Sequence, residues 1–71
     1  MTIKVYFDLV SIYEKYRTNP SDLSRRTGID RSYLYGIQKN QSISLKNLAR
    51  IAAGLNVEDP TKLLTVEVNK K

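Results

Sequence analysis

The side chains available for chemistry are carboxylates, basic groups, hydroxyls and amides, because the sequence contains neither cysteine nor histidine. This excludes disulfides, zinc sites of the usual Cys/His types, a thiol nucleophile and histidine-based proton transfer. Asp22 and Asp30 could pair for acid–base work, but both lie where helices are predicted to start. No Gly-rich, phosphate-cradling loop is present. We therefore expect no enzyme, no cofactor and no metal.

The basic residues are concentrated in the middle of the chain. Twelve lysines and arginines against seven acidic residues give a net charge of +5 and a pI near 9.7. The segment from Lys15 to Arg50 holds eight basic and two acidic residues, a net of +6, and the remainder holds four and five, a net of −1. A solubilising surface would scatter this excess. The concentration favours a polyanionic partner.

The elements that position these charges are predicted from apolar spacing and capping residues. Val5, Leu9, Ile12 and Tyr16 form one apolar stripe on a first helix. Later helices start at Asn19-Pro20, Asp30, Ser44 and Asp59-Pro60, and Gly28 and Gly54 end two of them. The five predicted helices span about residues 6–17, 20–27, 31–39, 45–54 and 60 to 63 or 64.

The two ends of the chain alternate apolar and polar residues with a period of two. This pattern predicts strands at 2–6 and 64–69, which could pair with each other or across a dimer. The alternative is an early start to the first helix and a frayed tail. The predicted fold is a single, mainly all-α domain over residues 1–71, with a small β-ribbon if the strands form.

Residues 20–39 satisfy the requirements of a helix-turn-helix, two short helices joined by a tight turn. Ser24 is the small residue where the helices cross, and Gly28 opens the turn. The apolar anchors of the two helices are Leu23, Ile29, Leu34 and Ile37.

The segment from Pro20 to Val57, containing DLSRRTGIDRSYLYGIQKNQSISLKNLARIAAGLNV, resembles the Cro/C1-type helix-turn-helix family of phage repressors and small bacterial regulators. Within it, GIDRSYLYGIQKN followed by SLKNLARIAAGLNV is similar to controller proteins of restriction–modification systems. The resemblance implies a compact five-helix, lambda repressor-like domain that binds operator DNA as a two-fold dimer and represses or activates transcription.

The sequence departs from the family pattern at several positions. Ser24 stands where the family usually has Ala, and we expect its hydroxyl to bond to the Pro20 carbonyl. Tyr13 and Gln38 stand where the family often pairs Arg with Glu, so that ion pair is replaced by a neutral contact or is missing. These departures leave the DNA-binding prediction intact and the mode of dimerisation open.

In this architecture the start of the third helix enters the major groove of DNA. Arg31 and Ser32 are the predicted base-reading residues, and an Arg bonded to both O6 and N7 of guanine discriminates by about 1–3 kcal/mol. The alternative for Arg31 is a phosphate contact or a salt bridge with Asp30. The predicted contacts with the DNA backbone or groove are Asn19, Ser21, Tyr33, Lys39, Asn40, Gln41, Ser44 and Lys46.

Several neighbours of these residues have two interpretations. Tyr33 could instead pack onto the second helix, and Asp30 is expected to cap the third helix rather than to read a base. Gly36 either lets the helix approach the groove closely or makes room for a neighbour. At most one of Arg25 and Arg26 is expected to face DNA, and Arg50 is assigned to solvent or an interface.

These features predict a sequence-specific, double-stranded DNA-binding transcriptional regulator, a repressor, that binds a palindromic operator as a homodimer. The expected dimer surface is the exposed edge of the fourth helix with the Leu55–Leu64 segment, extended by the terminal strands, although Leu63 or Leu64 could instead close the core. The alternative function is a protein-interaction module on the same fold, such as a toxin-neutralising antitoxin. Without a membrane span or signal-peptide pattern, we expect a cytoplasmic protein with no membrane partner.

Overall fold

A computed structural model describes residues 1–70 of the chain. This part contains four α-helices and a 3-10 turn, enclosed in sequence by two terminal strands. In chain order the elements are β1 (Thr2–Tyr6), α1 (Leu9–Lys15), α2 (Pro20–Thr27), α3 (Arg31–Asn40), α4 (Leu45–Gly54), the 3-10 turn (Pro60–Leu63) and β2 (Thr65–Asn69). The mainly helical fold is as predicted, but the fifth helix is only a four-residue 3-10 turn.

Capping side chains fix where the helices begin. The Asn19 side chain accepts from the Asp22 N–H at 2.8 Å at the start of α2, and the Ser44 hydroxyl accepts from the Asn47 N–H at 3.2 Å at the start of α4. Gly28 ends α2 in the left-handed conformation, with φ of 76°. The predicted limits of the central helices therefore hold to within one residue, because each limit depends on a local cap.

The first helix begins at Leu9, three residues later than predicted. Asp8 caps it by accepting from the Ser11 N–H at 3.3 Å, and the preceding residues form β1. The Phe7 N–H donates to the Gln41 carbonyl at 3.0 Å, which ties the connection between β1 and α1 to the end of α3. Val5 has the spacing of the apolar stripe predicted for the first helix, but it lies in β1 instead, because it pairs with Val66 of β2.

The core is one cluster of buried apolar side chains that all four helices supply. It includes all four apolar residues predicted to anchor the helix-turn-helix. Its members are Phe7, Leu9, Ile12, Leu23, Ile29, Leu34, Ile37, Leu48, Ile51, Ala52, Leu55 and Leu63. None of the helices within residues 1–70 has the length and apolar character that crossing a bilayer requires.

Two parts of the apolar pattern lie elsewhere than predicted. Leu45 has the helical spacing of the buried Leu48 and Ile51, which predicts that it is buried too, but it lies in the first turn of α4 and is 82% exposed. Leu63 closes the core, which is the alternative left open for it above, and Leu64 is half-buried against the core. Leu55, at the start of the predicted dimer segment, is also buried in the core of its own chain. Core closure therefore uses most of the apolar side chains of that segment.

Gly54 is the last residue of α4, as predicted, but it is not in the left-handed conformation, and it packs closely against α2. A Cβ at this position would lie 2.9 Å from Thr27 Cγ2 and 3.5 Å from Arg26 Cβ, so only glycine fits without movement of α2. Asn56, with φ of 58°, supplies the left-handed residue after the helix instead.

The two terminal strands pair with each other in antiparallel register, with Thr2 opposite Asn69 and Tyr6 opposite Thr65. The structure therefore contains a two-stranded ribbon rather than a frayed tail. Strand alternation gives the ribbon two different faces. One carries aliphatic side chains, and the other carries polar ones, where the Tyr6 hydroxyl donates to Glu67 Oε1 at 3.0 Å.

Candidate nucleic-acid interface

The turn between α2 and α3 is held by two hydroxyl groups of α2. Ser24 Oγ donates to the Ile29 carbonyl at 2.5 Å, and Thr27 Oγ1 accepts from the Ile29 N–H at 3.1 Å. The expected bond from Ser24 to the Pro20 carbonyl is wrong, because the Ile29 carbonyl lies in the turn, outside both helices, within reach of this hydroxyl. Two half-buried hydroxyl groups thus fix the turn between α2 and α3.

Arg31 and Ser21 connect the beginnings of α3 and α2. Arg31 Nη1 donates to Ser21 Oγ at 3.2 Å, and both side chains are exposed. The guanidinium is therefore oriented by a hydroxyl group of the neighbouring helix rather than by the adjacent carboxylate of Asp30. Its other N–H donors remain available to a ligand.

Ser32 and Asp30 form a second polar pair at the start of α3. The Ser32 hydroxyl donates to Asp30 Oδ2, and this hydrogen bond holds the pKa of Asp30 below its usual value. Asp30 occupies the N-cap position, but its carboxylate makes no capping hydrogen bond to α3. Asp30 is therefore the N-cap residue of α3, as predicted, and its carboxylate bonds to the Ser32 hydroxyl.

An open cleft lies between α3 and the beginning of α4. Ser32, Gly36 and Asn40 line it at intervals of four residues, so they share one face of α3. The other lining residues are Asp30, Tyr33, Ile37, Ser42, Ile43 and Ser44. No heavy atom lies within 4 Å of a Cβ built on Gly36, which removes the interpretation that this glycine makes room for a neighbour.

Tyr33 projects from α3 between this cleft and a second, smaller one. Its side chain is 55% exposed and lines both clefts, so it is not packed away against α2. The second cleft is also lined by Lys46 and Arg50, which lie four residues apart on α4. Sequence reasoning assigned Arg50 to solvent or an interface, although its spacing from Lys46 could have placed both on one face.

The remaining predicted contact residues lie at helix ends near this face. Asn19 uses its side-chain oxygen as the cap of α2, which leaves its amide N–H groups to donate. Lys39 and Asn40 are exposed in the last turn of α3. Gln41 ends α3 in the left-handed conformation, with φ of 53°, and its carbonyl accepts from the Phe7 N–H.

The basic side chains of α2, α3 and α4 differ in whether they form an ion pair with an acidic side chain. Arg25 and Arg26 both pair with Asp22, at 2.5 and 3.1 Å. These are the ion pairs within residues 1–70, so Arg31, Lys39, Lys46 and Arg50 have no acidic partner within 4 Å there. The described residues hold no group of three or more acidic side chains placed to bind a metal ion.

Tyr13 occupies the position of the family's frequent ion pair and makes a neutral packing contact. Its hydroxyl is buried without a hydrogen-bond partner within residues 1–70. Burial raises the pKa of this hydroxyl, and the nearby Tyr35 contributes in the same direction. Tyr13 is half-buried and packs against the core, so this position contributes packing rather than charge.

Comparison with known families gives one match. The model of the Cro/C1-type HTH DNA-binding domain matches residues 9–68, from the first residue of α1 into β2. No curated protein and no solved structure gives a significant match to the chain.

Proposed function

The chain belongs to the Cro/C1-type helix-turn-helix DNA-binding family and is a DNA-binding regulator of transcription, and from this premise we propose that it is a sequence-specific repressor that binds a palindromic operator as a homodimer. The family match over residues 9–68 is the observation that carries this proposal. As part of this proposal, we assign the chain, within its family, to the restriction–modification controllers or to the phage repressors.

We assign base reading to the start of α3, placed in the major groove. Arg31 donates to guanine O6 and N7 while Ser21 orients its guanidinium from α2. Ser32 accepts from a donor on a neighbouring base edge with its free lone pairs, or turns its hydroxyl away from Asp30 to donate to a phosphate. Gly36 follows on the same helix face, and its missing side chain allows the backbone of α3 to approach the groove closely.

Contacts with the DNA backbone flank this face on both sides. Asn19 and Ser21 lie at the beginning of α2, where free N–H groups and the helix dipole favour a phosphate. The remaining proposed contacts come from α3, from the residue that ends it and from the first half of α4. They are Tyr33, Lys39, Asn40, Gln41, Ser44, Lys46 and, added by its position beside Lys46, Arg50.

Selection of bound fragments from a random pool of duplex DNA tests the proposal. The expected result is a two-fold symmetric motif with half-sites about 34 Å apart, one helical turn. If the selected fragments share no enriched motif, sequence-specific binding is refuted. Affinity for the selected site should fall steeply with salt, because phosphate contacts release counterions. A flat salt response would instead favour the protein-interaction module.

Arg31 offers a matched pair of variants. Arg31→Ala removes both the charge and the planar set of guanidinium hydrogen-bond donors, whereas Arg31→Lys keeps the charge but lacks that planar set of donors. If Arg31 reads guanine, both variants lose preference for the selected site by about 1–3 kcal/mol, and only Arg31→Ala also weakens binding to random duplexes. Equal weakening on both kinds of DNA by Arg31→Ala, with rescue by Arg31→Lys, would reduce Arg31 to a phosphate contact.

A further inference from the structure

The terminal ribbon has an aliphatic face that nothing else in the described chain covers. It consists of two directly opposed pairs, Ile3 with Val68 and Val5 with Val66. Their exposed fractions are 55%, 50%, 56% and 58%. The opposite face carries Lys4 and Glu67 as a cross-strand pair, so the separation of apolar and polar side chains follows the strand period.

A ribbon of this kind is marginal in water when it stands alone. Two strands need a third strand or a packed face to be stable. The four exposed side chains present a patch on the order of 400 Å², which is within the range of the largest patch on a typical monomer. A partner on the aliphatic face would supply the packing that a two-stranded ribbon lacks.

The patch continues onto the helical part of the molecule. Val5 also lines a groove with Ile43, Leu45 and Leu64. Leu45 is the exposed leucine at the beginning of α4. Together the ribbon face and Leu45 raise the apolar area toward the roughly 800 Å² per partner of a standard interface, with the remainder supplied by a polar rim.

We propose that this surface, defined by Ile3, Val5, Leu45, Val66 and Val68, binds a second copy of the same chain. The inference rests on the proposed homodimer and adds the surface through which it forms. Each copy carries a net charge of +5, so a contact between two copies must keep like charges away from its centre and be stabilised by apolar burial. The ribbon face holds only aliphatic side chains, which suit a self-complementary two-fold contact. The same lack of basic side chains excludes DNA as its occupant.

Sedimentation equilibrium of the full chain, without DNA, tests this surface. The test variant replaces Ile3, Val5, Val66 and Val68 by Thr, which preserves β-branching and strand propensity while removing apolar surface. We expect the dimer dissociation constant to rise at least about a hundredfold. The matched control, Lys4→Gln with Glu67→Gln, changes the opposite face of the same ribbon and should leave the constant within about twofold. A monomeric wild-type chain up to about 1 mM, or equal dimerisation of the test variant, would overturn the proposal.

Disulfide trapping provides a second measurement that does not depend on the fourfold variant folding. The chain has no cysteine, so Val66→Cys introduces a single thiol on the proposed surface and Ala53→Cys introduces one on an exposed position of α4. We centre the two-fold contact on the ribbon face, which brings the two copies of Val66 together, and a disulfide requires Cα atoms within about 7 Å. Val66→Cys should therefore form a disulfide dimer at least about ten times faster than Ala53→Cys. Equal rates would contradict the surface.

DNA binding distinguishes failure of the surface from failure of the proposed function. The fourfold variant should keep salt-dependent binding to random duplexes and lose its advantage on a fragment with two half-sites. A chain that dimerises through the ribbon but binds no DNA would refute the function and support the surface. A chain that binds the selected operator as a dimer, with equal affinity in the fourfold variant, would refute the surface alone.

Discussion

The two helical glycines near the DNA-binding helices should respond in opposite ways to replacement by alanine. Gly36 lies in the middle of α3, and the space around its missing Cβ is open. Gly36→Ala adds a methyl group without a clash and improves helix propensity by about 1 kcal/mol. We expect the free energy of unfolding to rise by about that amount and Tm to rise by roughly 4–8 °C.

Gly54→Ala should destabilise the chain. The new Cβ would lie 2.9 Å from Thr27 Cγ2. Thr27 cannot turn away cheaply, because its hydroxyl donates to the Leu23 carbonyl at 2.7 Å and accepts from the Ile29 N–H. Overpacking costs about 1–3 kcal/mol, and the gain in propensity offsets at most about 1 kcal/mol. The net expected loss is about 1 kcal/mol, which leaves the two variants about 2 kcal/mol apart.

Urea unfolding followed by circular dichroism measures both changes, and DNA titration adds a functional readout for Gly36. Because we place Gly36 against the groove, Gly36→Ala should bind the operator about tenfold more weakly, about 1.4 kcal/mol, although it is more stable. Destabilisation by Gly36→Ala would refute the open space around this residue. Unchanged affinity would refute its placement at the DNA, and a stabilised Gly54→Ala would refute the tight crossing of α2 and α4.

Three further predictions concern single polar groups. Ser24→Ala should lower the free energy of unfolding by about 1–2 kcal/mol, because the carbonyl in the turn loses its donor; an unchanged urea midpoint would contradict this bond. Tyr13→Phe should leave the free energy of unfolding unchanged or raise it by up to about 1 kcal/mol, because the buried hydroxyl has no hydrogen-bond partner to lose. A clearly lower Tm of this variant would show that the hydroxyl does have a partner. Hydrogen bonds from Thr18 and Arg25 lower the pKa of Asp22, so its contribution is present above the unfolded pKa and is lost as pH falls below about 4. Asp22→Asn should weaken this acid dependence in unfolding measured at pH 2–5, and an identical pH profile would contradict the assignment.

The helix-turn-helix could be predicted because its signals are local. Asn19 and Ser44 cap helices through N–H groups three residues away, and Gly28 supplies the left-handed residue between α2 and α3. The helical period likewise places Leu34 and Ile37 inside, while Arg31 and Ser32 remain exposed at the start of α3. These choices depend on hydrogen bonds and spacings within one or two turns, which the order of residues encodes directly.

Contacts between distant segments needed the tertiary structure. Period-two alternation predicts strands at both ends, but only the folded chain pairs Thr2 with Asn69 and leaves one aliphatic face uncovered. The close packing of Gly54 on Thr27 depends on the distance between α2 and α4. A local pattern carries no information about such distances, because the approach of two elements is set by the packing of all the side chains between them.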